Sequence, residues 1–151
     1  MKIILYVVIA LLLFILISLL GLSASSRKQA DLGLVNGKLR ACPAKPNCVC
    51  SEFQDKPSSI EPLVYSIAHA DAWHGIKEVV VDLGGEIVVE KDVYLRVRFV
   101  TPLLRFIDDV ELRHVEEHNQ IHIRSASRVG RSDFGVNRKR VERLRQAFNQ
   151  L

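Results

Sequence analysis

The residues best suited to chemistry in this 151-residue chain lie between Arg124 and Arg145, in the run RSASRVGRSDFGVNRKRVERLR. From Ile121 to the C-terminus there are eight Lys or Arg residues and two acids, although the formal charge of the whole chain is only +4. The run joins a strand end, a glycine turn and the start of a helix. Amides at a helix start, glycines and flanking arginines together form the kind of site that binds a phosphate or a carboxylate.

An anion site would explain an otherwise unfavourable placement of charge. Arg138, Lys139 and Arg140 fall near the predicted N-terminus of this helix, where cations oppose the helix dipole. A bound anion would offset that repulsion. The predicted ligand-binding residues are Arg124, Ser127, Arg128, Gly130, Arg131, Ser132, Asp133, Asn137 and Arg138.

A purely structural interpretation of the same residues is equally open. Asp133 could cap the helix, and Arg128 and Arg131 could pair with Asp108 or Asp109. In that case the charges of the run are satisfied within the protein and no ligand is required.

An enzymatic alternative would join Asp108 and Asp109 to the serines and arginines of residues 124–138. Asp108, Asp109 and Glu111 form an acidic cluster of the type used in general acid–base catalysis. Acids at a strand start, however, more often pair with arginines on adjacent strands. The serines have neither a G-x-S-x-G elbow nor an S-x-x-K motif around them. We therefore assign no catalytic residue and do not favour an enzyme.

The histidines, His69, His74, His114, His118 and His122, include no H-E-x-x-H motif of a helical zinc site. His114, His118 and His122 are spaced four residues apart, but they fall on two predicted strands and the turn between them, not on one helix face. We expect them to be solvated or locally hydrogen-bonded, and we predict no metal and no cofactor.

The N-terminus carries an apolar run from Ile3 to Leu22, broken only by Ser18 and Gly21. About 20 such residues cross ~30 Å of hydrocarbon as a helix. A cleaved signal peptide is the alternative, since Lys2 precedes the run and small residues follow it. A signal core is usually only ~7–15 residues long, and no clean A-x-A site is present. We favour an uncleaved single-pass anchor over residues 1–25.

The rest of the chain divides into a tether with a cysteine and proline loop, residues 26–61, and a globular domain, residues 62–151. Apolar periodicity in the domain predicts five strands and two helices. The strands are expected at 62–67, 86–90, 93–101, 107–116 and 120–127, and the helices at 71–83, capped by Asp71, and at 135–149. This order, β-α-β-β-β-β-α with short connections, predicts a two-layer α+β domain with both helices on one face of a curved antiparallel sheet.

Three motifs in this order resemble a bacterial family catalogued as domain of unknown function 1499. They are Cys42-Pro-x-x-Pro-Asn-Cys48-Val, then Phe106-Ile-Asp-Asp-Val-Glu111, and then the run from Arg124 to Arg138. The resemblance extends from Leu39 to the C-terminus. It implies no activity, substrate or cofactor.

The resemblance also implies that Cys42 and Cys48 are a pair, because family members typically carry a serine where this chain has Cys50. A disulfide closing so short a loop would stabilise the fold by roughly 2 kcal/mol. A metal site using Cys42, Cys48 and Cys50 with a histidine would lack the usual C-x2–4-C spacing with a second paired cluster. A redox pair of Cys48 and Cys50 would form a strained bridge.

The cysteines also bear on location, because disulfides persist in oxidising compartments. Arg27 and Lys28 follow the apolar run and, by the positive-inside rule, would leave the domain in the cytoplasm. We favour the opposite orientation, with the anchor in the inner (cytoplasmic) membrane and the domain periplasmic or otherwise extracytoplasmic. The expected function is an envelope domain that binds an anionic ligand, an anionic lipid or a partner protein. Few aromatic residues and the anchor argue against nucleic acid.

Overall fold

The computed structural model describes residues 2–28, 30–54 and 56–151. Met1, Gln29 and Asp55, which fall in the predicted anchor and tether, lie outside the described residues. The described chain forms helices α1 (Lys2–Ser26), α2 (His69–Asp82) and α3 (Val136–Phe148), and strands β1 (Cys48–Cys50), β2 (Leu63–Val64), β3 (Glu86–Lys91), β4 (Tyr94–Val100), β5 (Ile107–Val115) and β6 (Gln120–Ser127). A 3-10 turn, Glu116–His118, joins β5 to β6.

The strands form one antiparallel sheet in the order β1-β6-β5-β4-β3, and β2 also pairs with β6. Strands β3 to β6 are consecutive neighbours, as their short connections predict. The predicted α+β class with an antiparallel sheet is therefore confirmed.

The apolar side of the sheet and the two domain helices enclose the main core. Val97, Val110 and Leu112 point from the central strands toward α2 and α3, and all three are fully buried. Ile76 of α2 and Leu144 of α3 are buried against them, at positions where the helical period predicts an inward-facing side chain. This layer fixes α3 across β6 and so places the start of α3 at one end of the sheet.

Three local features differ from the prediction. The strand expected at 62–67 is only Leu63–Val64, because the ladder with β6 extends over these two residues alone. β1 lies inside the segment predicted to be irregular, but it begins at Cys48, after both prolines, and forms the edge of the sheet. Proline disfavours a central strand and leaves an edge strand possible. Helix α2 begins two residues earlier than predicted, with Ala68 rather than Asp71 at the N-cap. Asp71 instead lies in the first turn, where its charge still favours the helix dipole.

The other face of the sheet is charged, and the chain that precedes β2 covers it. Glu111 at the centre of β5 is fully buried. Its Oε1 accepts hydrogen bonds from the Tyr94 hydroxyl at 2.7 Å and the Gly33 amide at 2.9 Å, and its Oε2 accepts one from Arg124 at 2.9 Å. Leu39 packs beside this carboxylate with Tyr94. Residues 30–54 are therefore held to the sheet by charge as well as by apolar contact.

Glu111→Ala should destabilise the protein by about 3–5 kcal/mol, because it leaves the Arg124 guanidinium buried without its partner. The measurement is urea unfolding of the full chain in detergent, followed by circular dichroism. Glu90→Ala, which breaks the surface pair with Lys77, should cost only ~0–1 kcal/mol. Equal losses in the two variants would contradict the importance of the buried network.

Candidate functional site

Asn137, in the first turn of α3, joins three separated segments of the chain. It is completely buried. Its Nδ2 donates to the Asn47 carbonyl and to Ser127 Oγ, each at 3.0 Å, and its Oδ1 accepts from Ser125 Oγ at 2.6 Å and from Arg140 at 2.7 Å. The cysteine loop, the end of β6 and the start of α3 are thereby fixed to one another.

The start of α3 is capped by the carboxylate of Asp133. Its Oδ1 accepts from the Gly135 amide at 3.0 Å and its Oδ2 from the Asn137 amide at 2.7 Å. The carboxylate thus occupies part of the position that a phosphate would take at this helix N-terminus. The cap that the structural interpretation predicts is therefore formed.

The two adjacent aspartates of β5 lie on opposite faces of the sheet, and each is held by arginine. Asp109 accepts two hydrogen bonds from Arg128, at 2.6 and 2.8 Å, and Arg96 lies 3.7 Å away. These hydrogen bonds raise the pKa of Arg128. Asp108 accepts from Arg140 at 2.5 Å on the helix side. The structure therefore does not bring the two carboxylates together as an acid–base pair.

The nine predicted ligand-binding residues lie in several separate local environments and do not form one site. Arg124 and Arg128 lie on the charged face of the sheet and bind acids of β5. Ser127 and Asn137 are bonded to each other, and Asp133 caps α3. The Gly130 carbonyl accepts from Asn47 Nδ2 at 2.9 Å, holding the turn to the cysteine loop. The remaining three, Arg131, Ser132 and Arg138, are exposed.

A cleft of about 580 Å³ opens between the cysteine loop and the start of α3. Its walls are residues 42–46, 48–49 and 56–58, and three residues beside the helix start, namely Asp133, Gly135 and Arg138. Cys42 and Cys48 form the disulfide that the family resemblance implies, and both line the cleft. We refer to this space as the disulfide cleft.

The disulfide cleft is basic, with an apolar wall. Lys45, Lys56 and Arg138 line it, and the one carboxylate that lines it in the described part of the chain, Asp133, accepts hydrogen bonds from the helix amides. Arg138 also donates to the Pro57 carbonyl at 2.9 Å, which joins α3 to the facing wall. The two lysines were not among the predicted site residues. Each lies one residue before a proline, but Lys45 stands at an unspecified position of the cysteine motif and Lys56 lies outside all three motifs, so the sequence gives no signal that they share a site.

Cys50 is a free thiol buried beneath Leu39 and Tyr94. Burial raises the pKa of this thiol, so little reactive thiolate forms near neutral pH. No group of three or more His, Cys, Asp or Glu side chains suited to a metal occurs among residues 2–28, 30–54 and 56–151.

A second polar cluster lies at the opposite end of the sheet. The Tyr65 hydroxyl is 2.8 Å from His69 Nδ1 and 2.7 Å from His114 Nε2, and Trp73 stacks on the His114 ring at 5.2 Å between centroids. Burial lowers the pKa of His114 and raises that of Tyr65. His114 and Tyr65 therefore favour their neutral forms, and the cluster contributes to packing between α2 and β5.

His114 should make stability depend on pH. Its folded pKa lies below the ordinary value of 6.5, so the unfolded chain binds the proton more readily and stability falls as the pH drops below that value. His122, whose pKa burial also lowers, acts in the same direction. His114→Gln should be less stable at about pH 7.5, yet lose less stability on acidification to about pH 5.5.

Urea midpoints at the two pH values measure the effect, and His118→Gln in the exposed turn is the matched control. An unchanged pH dependence in His114→Gln would show that this buried imidazole does not titrate with folding.

Comparison with families of known sequence gives one match. The family model described as "Protein of unknown function (DUF1499)" covers residues 38–148, which include the disulfide cleft and the Asn137 contacts but not α1. Comparison with curated proteins and with solved structures gives no match. Because the family model matches more than half of its length, the chain belongs to the DUF1499 family.

Proposed function

We propose that this protein is a membrane-anchored binding domain of the cell envelope, and that its disulfide cleft takes an anionic ligand with an apolar part. The observation that carries the proposal is the lining of the cleft, where, among the residues that the structure describes, three cations line the space and the one lining carboxylate, Asp133, caps α3. A negatively charged group is the complement of such a space.

The apolar wall narrows the chemistry of the ligand. Pro43, Pro46, Val49 and the disulfide offer surface that a small inorganic ion would leave uncovered. A phosphate or carboxylate joined to a short apolar portion would contact both the lysines and this wall. Pockets that bind small molecules commonly combine an apolar lining with a few placed polar groups.

The apolar helix supports the membrane anchor. α1 has 25 residues, and its most apolar window of 18 residues has a mean hydropathy of 3.3 with none of it buried in the protein. The exposed apolar surface of such a helix is unfavourable in water and favourable in the hydrocarbon of a bilayer. The disulfide supports an extracytoplasmic domain, because thiols are kept reduced in the cytosol. The proposal therefore has the anchor in the cytoplasmic membrane and the domain on its outer side.

Lys45→Gln should weaken binding of dihexanoyl phosphatidic acid to the detergent-solubilised full chain by about three- to tenfold, the effect of losing one charge-assisted contact. Isothermal titration measures it, with dihexanoyl phosphatidylcholine as the zwitterionic comparison. Lys139→Gln is the matched control, because Lys139 is an exposed cation of α3 outside the cleft lining. Equal binding by both variants, or no binding by the native chain, would overturn the proposal.

The proposed orientation, with the domain outside the cytoplasm, predicts that a membrane-impermeant thiol reagent reaches the domain in intact cells. Cys50 is too buried to report on topology, so a new thiol is needed. Glu117→Cys, in the exposed turn between β5 and β6, should react with a membrane-impermeant maleimide added to intact cells. The native chain is the control for background labelling. Labelling that requires permeabilised cells would place the domain in the cytoplasm.

A further inference from the structure

We infer that the end of the sheet beside α1 is a second membrane contact, in which Leu103 and Phe134 enter the bilayer interface and nearby basic side chains meet anionic headgroups. This inference rests on the proposed membrane anchor. It concerns the surface that adjoins the disulfide cleft at Phe134, between the lining residues Asp133 and Gly135, and assigns it the bilayer as its partner.

The C-terminal end of α1 is docked on the domain. Ser23 and Ser26 are the buried residues of this helix. Ser26 Oγ accepts from the amide of Ile107, the first residue of β5, at 3.3 Å. Arg128, at the end of β6, donates to the carbonyls of Ser26 at 3.2 Å and Lys28 at 3.1 Å. The helix thus meets the domain at one end of the sheet.

This docking fixes the distance between the bilayer and that end of the sheet. The apolar run ends at Leu22, and Ser26 follows four residues later, which is about 6 Å along a helix. The headgroup region on each side of the hydrocarbon is itself roughly 5–8 Å thick. Loops at this end of the sheet therefore lie at the depth of the headgroups.

Two loops at this end each expose a large apolar side chain. Leu103 lies between β4 and β5, and Phe134 lies between β6 and α3, and both side chains are 90% exposed. Single exposed apolar residues are common, but these two share the end at which the apolar helix leaves the domain. Leucine and phenylalanine are typical of the apolar surface of proteins that insert into an interface.

The backbone of these loops gives an independent reason to assign a role to their side chains. Phe134 and Arg105 have φ of +52° and +55°, in the left-handed region that favours glycine or asparagine. A bulky side chain at such a position is unfavourable for folding alone. An interaction made by the side chain outside the domain would account for it.

The charge at this end suits an anionic surface. Arg27, Lys28, Arg105 and Arg131 are exposed there. Three carboxylates of the same end are engaged within the domain, because Asp108 and Asp109 hold arginines and Asp133 caps α3. Glu86 at the start of β3 pairs with Arg98, and Asp82 at the end of α2 is exposed. The exposed cations beside the apolar side chains would face lipid phosphates.

The opposite end of the sheet provides a built-in control. β5 has nine residues, so the turn at Glu117 lies about 26 Å from the docked end. A label at Glu117→Cys should stay in water when a label near Phe134 is in the interface. Ser132→Cys, exposed and two residues from Phe134, places the second label without removing either apolar side chain.

The test uses the full chain in nanodiscs of phosphatidylglycerol and phosphatidylcholine that contain a nitroxide-labelled lipid. An environment-sensitive fluorophore is attached at Ser132→Cys, at Glu117→Cys or, within α1, at Leu20→Cys. Since interfacial side chains lie ~5–10 Å into the headgroup boundary, quenching at position 132 should exceed that at 117 about threefold. The double substitution Leu103→Ser and Phe134→Ser should reduce the quenching at position 132 to the quenching measured at position 117.

The remaining outcomes distinguish failure of the membrane contact from failure of the membrane anchor. Quenching at position 20 with none at 132 would overturn the membrane contact and leave the anchor intact, whereas no quenching at 20 would overturn the anchor itself. Quenching at 132 that the double substitution does not reduce would also overturn the inference. Equal quenching in phosphatidylcholine alone would overturn the role of the basic residues. Binding in the disulfide cleft is measured separately and does not enter this result.

Discussion

The fold depends on the pairing of buried acids and arginines on the central strand β5. Asp108, Asp109 and Glu111 are almost completely removed from water, and each accepts hydrogen bonds from an arginine of another element. A carboxylate in this position is tolerated only when its partners are in place, since an unpaired buried charge costs several kcal/mol. The three pairs therefore specify where β6, α3 and the chain before β2 must lie relative to β5.

This constraint explains the composition of the sequence motifs. Many of the acidic, serine, asparagine and arginine residues that resemble a reactive site hold one segment against another, with Asn137 at their centre. The disulfide cleft is formed beside these contacts, largely by residues of the cysteine loop and of the segment that follows it. In this arrangement the motif residues position the walls of the cleft. Of the three cations that line it, Arg138 belongs to the third motif, Lys45 stands at an unspecified position of the cysteine motif, and Lys56 lies outside the motifs.

The sequence predicts much of the fold because the signals for β3 to β6 and for both domain helices are local. Alternation in β4 and the helical stripe of α3 each depend on residues close together in the chain. β1 is different, because three residues, Cys48 to Cys50, form a strand only by pairing with β6 more than 70 positions later. The separation of Asp108 from Asp109 does follow from the predicted strand, because adjacent residues of a strand point to opposite faces of the sheet. The placement of Lys45 and Arg138 in one cleft does not follow from their spacing, because it depends on which strands are neighbours.

The contact between α1 and the domain also affects how the chain can be cut. A protease binds its substrate as an extended strand, so a helical and buried segment is a poor target until it unfolds. The small residues after Leu22, where cleavage would release the domain, are helical through Ser26, and Arg128 holds the carbonyls of Ser26 and Lys28. Shedding of the folded domain from the bilayer would therefore require this junction to open first. Arg128, which holds the end of α1 to the domain, therefore also protects the peptide bonds of this junction from proteolysis.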